Sequence, residues 1–375
     1  HIYHFLNVLT NYHYNQKIRR TMRFRLAIVF TLFAVITMAY SSNAQDKNAT
    51  GAKGPVKFSG VVYSDLFYNV DQINEEDKDI NGLQFRRIYF TADYKINSDF
   101  SSRFRLEANE STLASNDKIS VFVKDAFLKW KNVFSGSDLV AGISPTPAFA
   151  ASEKVWGYRS LEKTTLDYFK IVSSRDIGVD LKGKLDENGM ASYWVKVGNN
   201  TGNKPESNKY KRYYGQFQLK PTSNIVVTVY GDYASMPQVQ DAFDGEMKDN
   251  SAFVAAGFVG YKQDKKFSIG VETFMKSQQN EYAKENTALA SKSGMGISAF
   301  AWVSLLENVN LVARFDSFNP NTDTDAKDDA ETLIIAAVDI KVAKNVSVMP
   351  GVLMHTKEGA DNNDLVPRVT FFWAF

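Results

Sequence analysis

Beyond residue 45 the chain holds one histidine, His355, and the whole sequence lacks cysteine. A serine nucleophile needs a base within hydrogen-bond reach. Hydrolytic chemistry is therefore confined to one position, and no serine motif stands beside it. Disulfides and thiolate metal sites are excluded. Asp323, Asp325 and Asp328 have calcium-loop spacing, but Lys327 fills a ligand slot and the turn glycine is missing, so a solvated acidic loop is expected. No glycine-rich phosphate cradle is present. Neither an enzyme, a metal nor a cofactor is expected.

The chemistry that remains is electrostatic. The longest connection between patterned segments, Thr146 to Ser174, carries Lys154, Arg159, Lys163 and Lys170 beside Trp156, Tyr158 and Tyr168. A connection of this length in a compact fold is usually functional. Arg87, Arg103, Arg105 and Arg212 lie in alternating segments nearby in the count. Rings of Arg and Lys around a water path select anions. With Lys154, Arg159 and Lys163 these are the expected constriction and selectivity residues, Arg103, Arg105 and Arg159 foremost.

Such residues need a scaffold that surrounds a path. The chain has 27 Phe and 18 Tyr against 9 Pro, which favours strands. From Val56 it divides into sixteen alternating segments, at 56–69, 83–96, 99–109, 119–131, 138–146, 175–185, 190–199, 209–220, 224–234, 252–262, 266–276, 294–305, 309–318, 331–342, 345–355 and 365–375. In 99–109, Phe100, Phe104, Leu106 and Ala108 share one face, and Ser101, Arg103, Arg105, Glu107 and Asn109 the other. Connections after even segments are short, as at Asn97-Ser98 and Ala343-Lys344. Those after odd segments are long and polar, as at 71–82, 236–251, 277–293 and 319–330. Short turns at one end and long loops at the other are the rhythm of a membrane barrel, and a sandwich has no reason to sort its loops this way.

No charge-free apolar run after Gln45 is long enough for a spanning helix, and lipid otherwise admits only closed barrels. The expected fold is all-β: a transmembrane antiparallel up-and-down β-barrel of 16 strands, with the long third outer loop folded into the lumen. Aromatics near strand ends, Tyr94, Trp130, Tyr233, Tyr261 and Trp373, fit interfacial girdles. Val369, Phe371, Trp373 and Phe375 share one face of the last segment, an arrangement expected to serve as a membrane-insertion signal.

Residues 22–44 read as a cleaved signal peptide: Arg23 and Arg25, the apolar stretch Leu26 to Tyr40, then Ser42-Asn43-Ala44. Residues 1–21 are expected to be an upstream extension, 45–55 a short N-terminal segment without a plug, and 56–375 the barrel. Setting aside the five basic residues before position 46 leaves 39 basic against 42 acidic, so no attraction to nucleic acid is expected. The acid is segregated. Loops 71–82, 236–250, 319–330 and 356–364 carry −4, −3, −3 and −2, which leaves a modestly basic remainder.

Four stretches carry a family resemblance. They are Phe85-Arg86-Arg87-Ile88-Tyr89-Phe90, Asp99-Phe100-Ser101-Ser102-Arg103-Phe104-Arg105, Gly157-Tyr158-Arg159-Ser160, and Ser174-Arg175-Asp176-Ile177-Gly178-Val179. Over about residues 56 to 375 the chain resembles bacterial outer-membrane porins, and more narrowly the phosphate-selective porin O/P-like family. The resemblance implies a homotrimer of sixteen-stranded barrels in outer-membrane lipid, passing small hydrophilic solutes, inorganic anions such as phosphate among them, by passive diffusion. The competing expectation is a structural or adhesive barrel without an open pore.

Overall fold

The structure, a computed structural model, describes residues 56–114, 116–282, 287–322 and 329–375. The signal peptide and N-terminal segments expected before residue 56, and the acidic triplet at 323–328, lie outside the described residues.

Sixteen strands follow in order: β1 (Val56–Tyr68), β2 (Asn81–Lys95), β3 (Phe100–Leu113), β4 (Ile119–Phe134), β5 (Ser137–Pro145), β6 (Arg175–Lys184), β7 (Ala191–Gly198), β8 (Arg212–Leu219), β9 (Ile225–Gln240), β10 (Met247–Gln263), β11 (Phe267–Tyr282), β12 (Ala290–Leu306), β13 (Val309–Asn319), β14 (Glu331–Ala343), β15 (Val346–Lys357) and β16 (Asp364–Ala374). Each is antiparallel to its sequence neighbours, and β1 pairs with β16 to close the cylinder. Closure leaves no edge to satisfy. Two helices, α1 (Ala150–Trp156) and α2 (Thr165–Tyr168), interrupt the pattern between β5 and β6.

The tight turns are built by short polar side chains. Asn97 Oδ1 accepts from the amides of Asp99 and Phe100 at 2.9 and 2.8 Å. The amides of Ala191 and Met190 donate to Asp186 and hold its carboxyl below the usual carboxylate range. Lys265 and Asn345 sit at φ 61° and 60°, the left-handed conformation that closes a short hairpin turn.

The outward face is apolar and bare, with Leu128, Val179, Val229, Val259, Ile269 and Leu311 all exposed. An exposed apolar surface continuous around a barrel requires hydrocarbon, not water, as its neighbour.

At the seam, Phe375 exchanges two backbone hydrogen bonds with Gly60, of 2.8 and 3.0 Å, and its ring lies over that glycine. A Cβ at Gly60 would stand 2.1 Å from the ring. Gly60→Leu is therefore expected to expel Phe375 from the seam and cost about 1–3 kcal/mol. Urea titration of the folded band on a cold SDS gel measures this, and an unchanged midpoint would count against the seam packing.

Three features depart from the alternating pattern. First, β9 to β12 run further than expected, so the loop read at 236–251 shrinks to 241–246, and strand extends to Tyr282 and from Ala290 within the loop read at 277–293. The ladder continues beyond the apolar zone because polar residues pair equally well there, and Pro237 is accommodated in a register shift opposite Asp249. Second, β-bulges at Arg86 and Lys124 break parity. Each turns an extra basic side chain to the inner face, next to Arg87 and Asp125. Third, the inner wall is polar only in part. On β10 to β15 it carries Phe258, Phe274, Phe300, Trp302, Leu333 and Ile335, all buried. An inner position left as glycine, Gly270, makes room for the Phe300 ring.

Candidate pore and its constriction

The 146–174 segment, L3, lies against that inner apolar wall. Trp156 is fully buried, with its ring centroid 5.2 Å from Phe300 and 5.7 Å from Tyr158, and its indole N–H donates to the Glu162 carbonyl at 3.0 Å. Val155, Tyr158 and Leu161 join the same cluster; Phe149, Leu166 and Val172 join a second one with Tyr214, Phe274 and Phe318. An unbroken helix could not follow the curved wall. The chain breaks at Gly157, whose φ of 70° caps α1.

Polar groups of the wall then fix the loop backbone. Arg86 from β2 donates to the Ser160 carbonyl, Arg368 from β16 to the Leu161 carbonyl, and Arg314 from β13 to the Lys163 carbonyl. Two of these arginines share Asp65, which also accepts from Thr370 Oγ1 at 2.6 Å. Arg314 pairs with Asp316 and lies 5.6 Å from the Trp156 ring, a cation–π contact. Ser268 and Gln216 add bonds to the carbonyls of Val155 and Pro147 at 2.8 and 2.6 Å.

With L3 filling one side, open space remains on the other. A cavity of about 470 Å³ lies between L3 and the wall of β1 to β4. Five basic residues line it, Arg86, Arg87, Lys124, Arg159 and Lys163, against four acids, Glu107, Glu110, Glu162 and Asp167. A second cavity, of about 440 Å³, opens toward the tight-turn end. Tyr63 and Arg159 line both cavities, so they stand where the two meet.

The sequence-derived site residues separate accordingly. Arg87, Arg159 and Lys163 line the first cavity. Arg87 pairs with Glu107 at 3.1 Å; Arg159 pairs with Glu153 and, at 3.1 Å, with Asp167. Burial works against the Arg159 charge, but Glu153 and other neighbours outweigh it and hold its pKa above the ordinary value. Burial raises the Glu162 carboxyl, yet Arg86 and Arg368 prevail and hold it low. The Lys163 ammonium has no ion-pair partner among the described residues.

Arg103, Arg105, Arg212 and Lys154 are not brought to this cavity. Arg103 forks onto Asp93 at 2.7 and 3.0 Å. Arg105 reaches Thr91 at 2.8 Å and Asp125 at 3.3 Å, and Arg212 reaches Asp232 at 2.7 Å. These are cross-strand pairs that hold the wall. Lys154 is exposed, and its carbonyl accepts from Lys262 at 3.3 Å on the tight-turn side. Arg86, Lys124 and Asp65 were not anticipated. The first two are placed by bulges, which strict alternation cannot express. Near Asp65, Val62, Tyr63, Leu66 and Phe67 crowd both faces with apolar residues.

His355 is held between Asp364 at 3.0 Å and Glu331 at 2.9 Å, edge-on to Tyr168 of L3. Among the described residues no serine bonds to it. Among the described residues no group of three or more metal-ligating side chains is present.

A closed antiparallel cylinder, bare and apolar outside, charged and loop-constricted inside, belongs to the class of sixteen-stranded membrane barrels. Comparison with solved structures agrees on the fold. The chain is similar to DcaP, an outer membrane channel of Acinetobacter baumannii, at 9% identity and a TM-score of 0.61, covering 87% of this chain and 100% of that one. It is similar to the in-vitro folded trimer form of OmpT, an outer membrane protein of Vibrio cholerae, at 17% identity and a TM-score of 0.59, covering 85% and 99%. An anion-selective porin from Comamonas acidovorans gives 9% identity and a TM-score of 0.59, covering 85% and 99%. At these identities the likeness is one of fold. No protein-family model matches the sequence. No curated protein matches it either.

Proposed function

We propose that the chain is an outer-membrane porin that passes small hydrophilic solutes by passive diffusion, with a mild preference for anions. The observation that carries this reading is the cavity between L3 and β1 to β4, whose lining holds one more basic than acidic residue. A low-dielectric wall focuses the field of such a small excess on passing ions. Inorganic anions, phosphate among them, are the expected beneficiaries. Many other lumen charges are neutralised in pairs, such as Arg103 with Asp93, Arg105 with Asp125 and Arg212 with Asp232, which argues for general permeation over a dedicated phosphate path. The porin fold, the trimer form of one similar protein and the loop rhythm support a homotrimer inserted from the periplasm after signal-peptide cleavage. Phe371, Trp373 and Phe375 serve there as the insertion signal.

Planar-bilayer recording under a KCl gradient tests the proposal. The wild-type reversal potential is expected to lean toward chloride. Arg159→Ala leaves Glu153 and Asp167 without their cation, so it should move the reversal potential toward potassium selectivity by roughly tens of millivolts, because the cavity's charge excess disappears. An unmoved potential would remove Arg159 from the constriction. The absence of any single-channel steps would favour an adhesive or structural barrel.

A further inference from the structure

The cavity at the tight-turn end contains a polar cluster that the permeation reading leaves unused. Tyr158 of L3 donates its hydroxyl to Asp339 Oδ2 at 3.0 Å. Asn310 donates its amide to the Tyr158 oxygen at 2.7 Å and to Asp339 Oδ2 at 3.4 Å. All the donors of the cluster are thereby used. Two acceptors, Asn310 Oδ1 and Asp339 Oδ1, have no hydrogen-bond partner among the described residues, although each residue is only 3% exposed. Buried acceptors left unpaired cost free energy unless something supplies a donor. Both side chains line the cavity, together with Trp302, Lys262, Lys265 and Lys341.

The missing partner can be specified. It must bring N–H donors and a positive charge to Asp339, whose present contacts all come from neutral groups. It must also suit the lysines around it. Asp339 and Lys341 lie two residues apart on β14 and so share a face, about 7 Å apart along the strand. An extended dipeptide separates its ammonium and carboxylate by about 6–7 Å. The rest of the lining includes long, unbranched side chains that can yield without moving backbone.

We infer that the Tyr158–Asn310–Asp339 cluster, with Lys341, forms a binding subsite for the two charged ends of a small zwitterionic peptide. The ammonium docks on Asp339 and Asn310, and the carboxylate on Lys341. The inference rests on the reading of the barrel as a solute path, but its test does not depend on conduction.

Isothermal titration calorimetry of the full chain in detergent, with dialanine as the probe, reads the subsite directly. Dialanine is expected to bind, and N-acetyl-dialanine, which lacks the ammonium, to bind at least tenfold more weakly, as loss of a charged hydrogen-bond partner implies. Asp339→Asn retains the acceptor for Tyr158 and removes the charge, and should weaken dialanine to the same extent. Lys341→Gln should weaken it several-fold. Equal affinity for the acetylated peptide, comparable binding of maltose, or no heat from dialanine at all would each overturn the subsite. The acetylated comparison uses wild-type protein, so a variant that folds poorly does not blunt it. Bilayer conductance decides the porin reading separately.

Discussion

Asp65→Ala is expected to destabilise the barrel by about 3–5 kcal/mol, the usual consequence of removing one partner from a buried charge cluster. Asp65 is fully buried and receives Arg86, Arg368 and Thr370. Without it, two mutually repelling guanidiniums remain in the wall with only Glu162 acting on both. The effect should be both mechanical and energetic. Asp65 sits on β1 and Thr370 on β16, so their bond crosses the seam of the cylinder. The same carboxylate orients the arginines that hold the carbonyls of Ser160 and Leu161. The urea midpoint of the heat-modifiable gel band should fall, and open-channel current noise should rise as L3 loosens. Asp65→Asn, which keeps the Thr370 acceptor, should retain more stability than alanine. A variant with wild-type midpoint and quiet openings would show that the cluster does not govern the loop.

The second large effect is expected at Trp156. Truncation to alanine removes a ring with no exposed surface, in contact with Phe300 and Tyr158 and under Arg314. Buried Trp to Ala costs about 3–5 kcal/mol. The cost falls on L3 rather than on the strand ladder, because no strand hydrogen bond depends on this side chain. The barrel should therefore remain folded while the loop detaches. Single-channel conductance is expected to rise by roughly twofold or more, since a loop released from the wall no longer fills one side of the lumen. Selectivity should fall with it, because Arg159 and Lys163 leave the passage together. Single-channel recording beside the wild type measures both changes, and an unchanged conductance would mean that the remaining anchors of L3, its second apolar cluster and the polar contacts to its carbonyls, suffice to hold it.

The strands could be read from the sequence because each one borders two different media. Segments such as 175–185, where Ile177, Val179 and Leu181 oppose Asp176, Asp180 and Lys182, declare their faces by chemistry alone. The constriction was less accessible. Period-two reasoning assigns Arg86 and Lys124 to the lipid side, and only the bulges bring them in. Neither bulge carries a glycine or proline that would announce it. Arg103, Arg105 and Arg212 look like selectivity residues because they are basic and inward, but their partners Asp93, Asp125 and Asp232 lie on neighbouring strands and become visible only once register is known. The length of β9 to β12 was hidden for a related reason. Beyond the apolar zone both faces are wet, so the pattern ends where the ladder does not.

The apolar stretch of inner wall has a consequence for how this protein can change over generations. Phe258, Phe300 and Trp302 face the interior of the barrel and lie buried beneath L3. A lineage that shortens the loop inherits a greasy bore unless those positions turn polar as well. A lineage that polarises the wall first strands Trp156 and Leu161. Loop and wall are thus bound to drift in concert, and the pairs expected to covary among descendants are 156 with 300, 155 with 258, and 158 with 302.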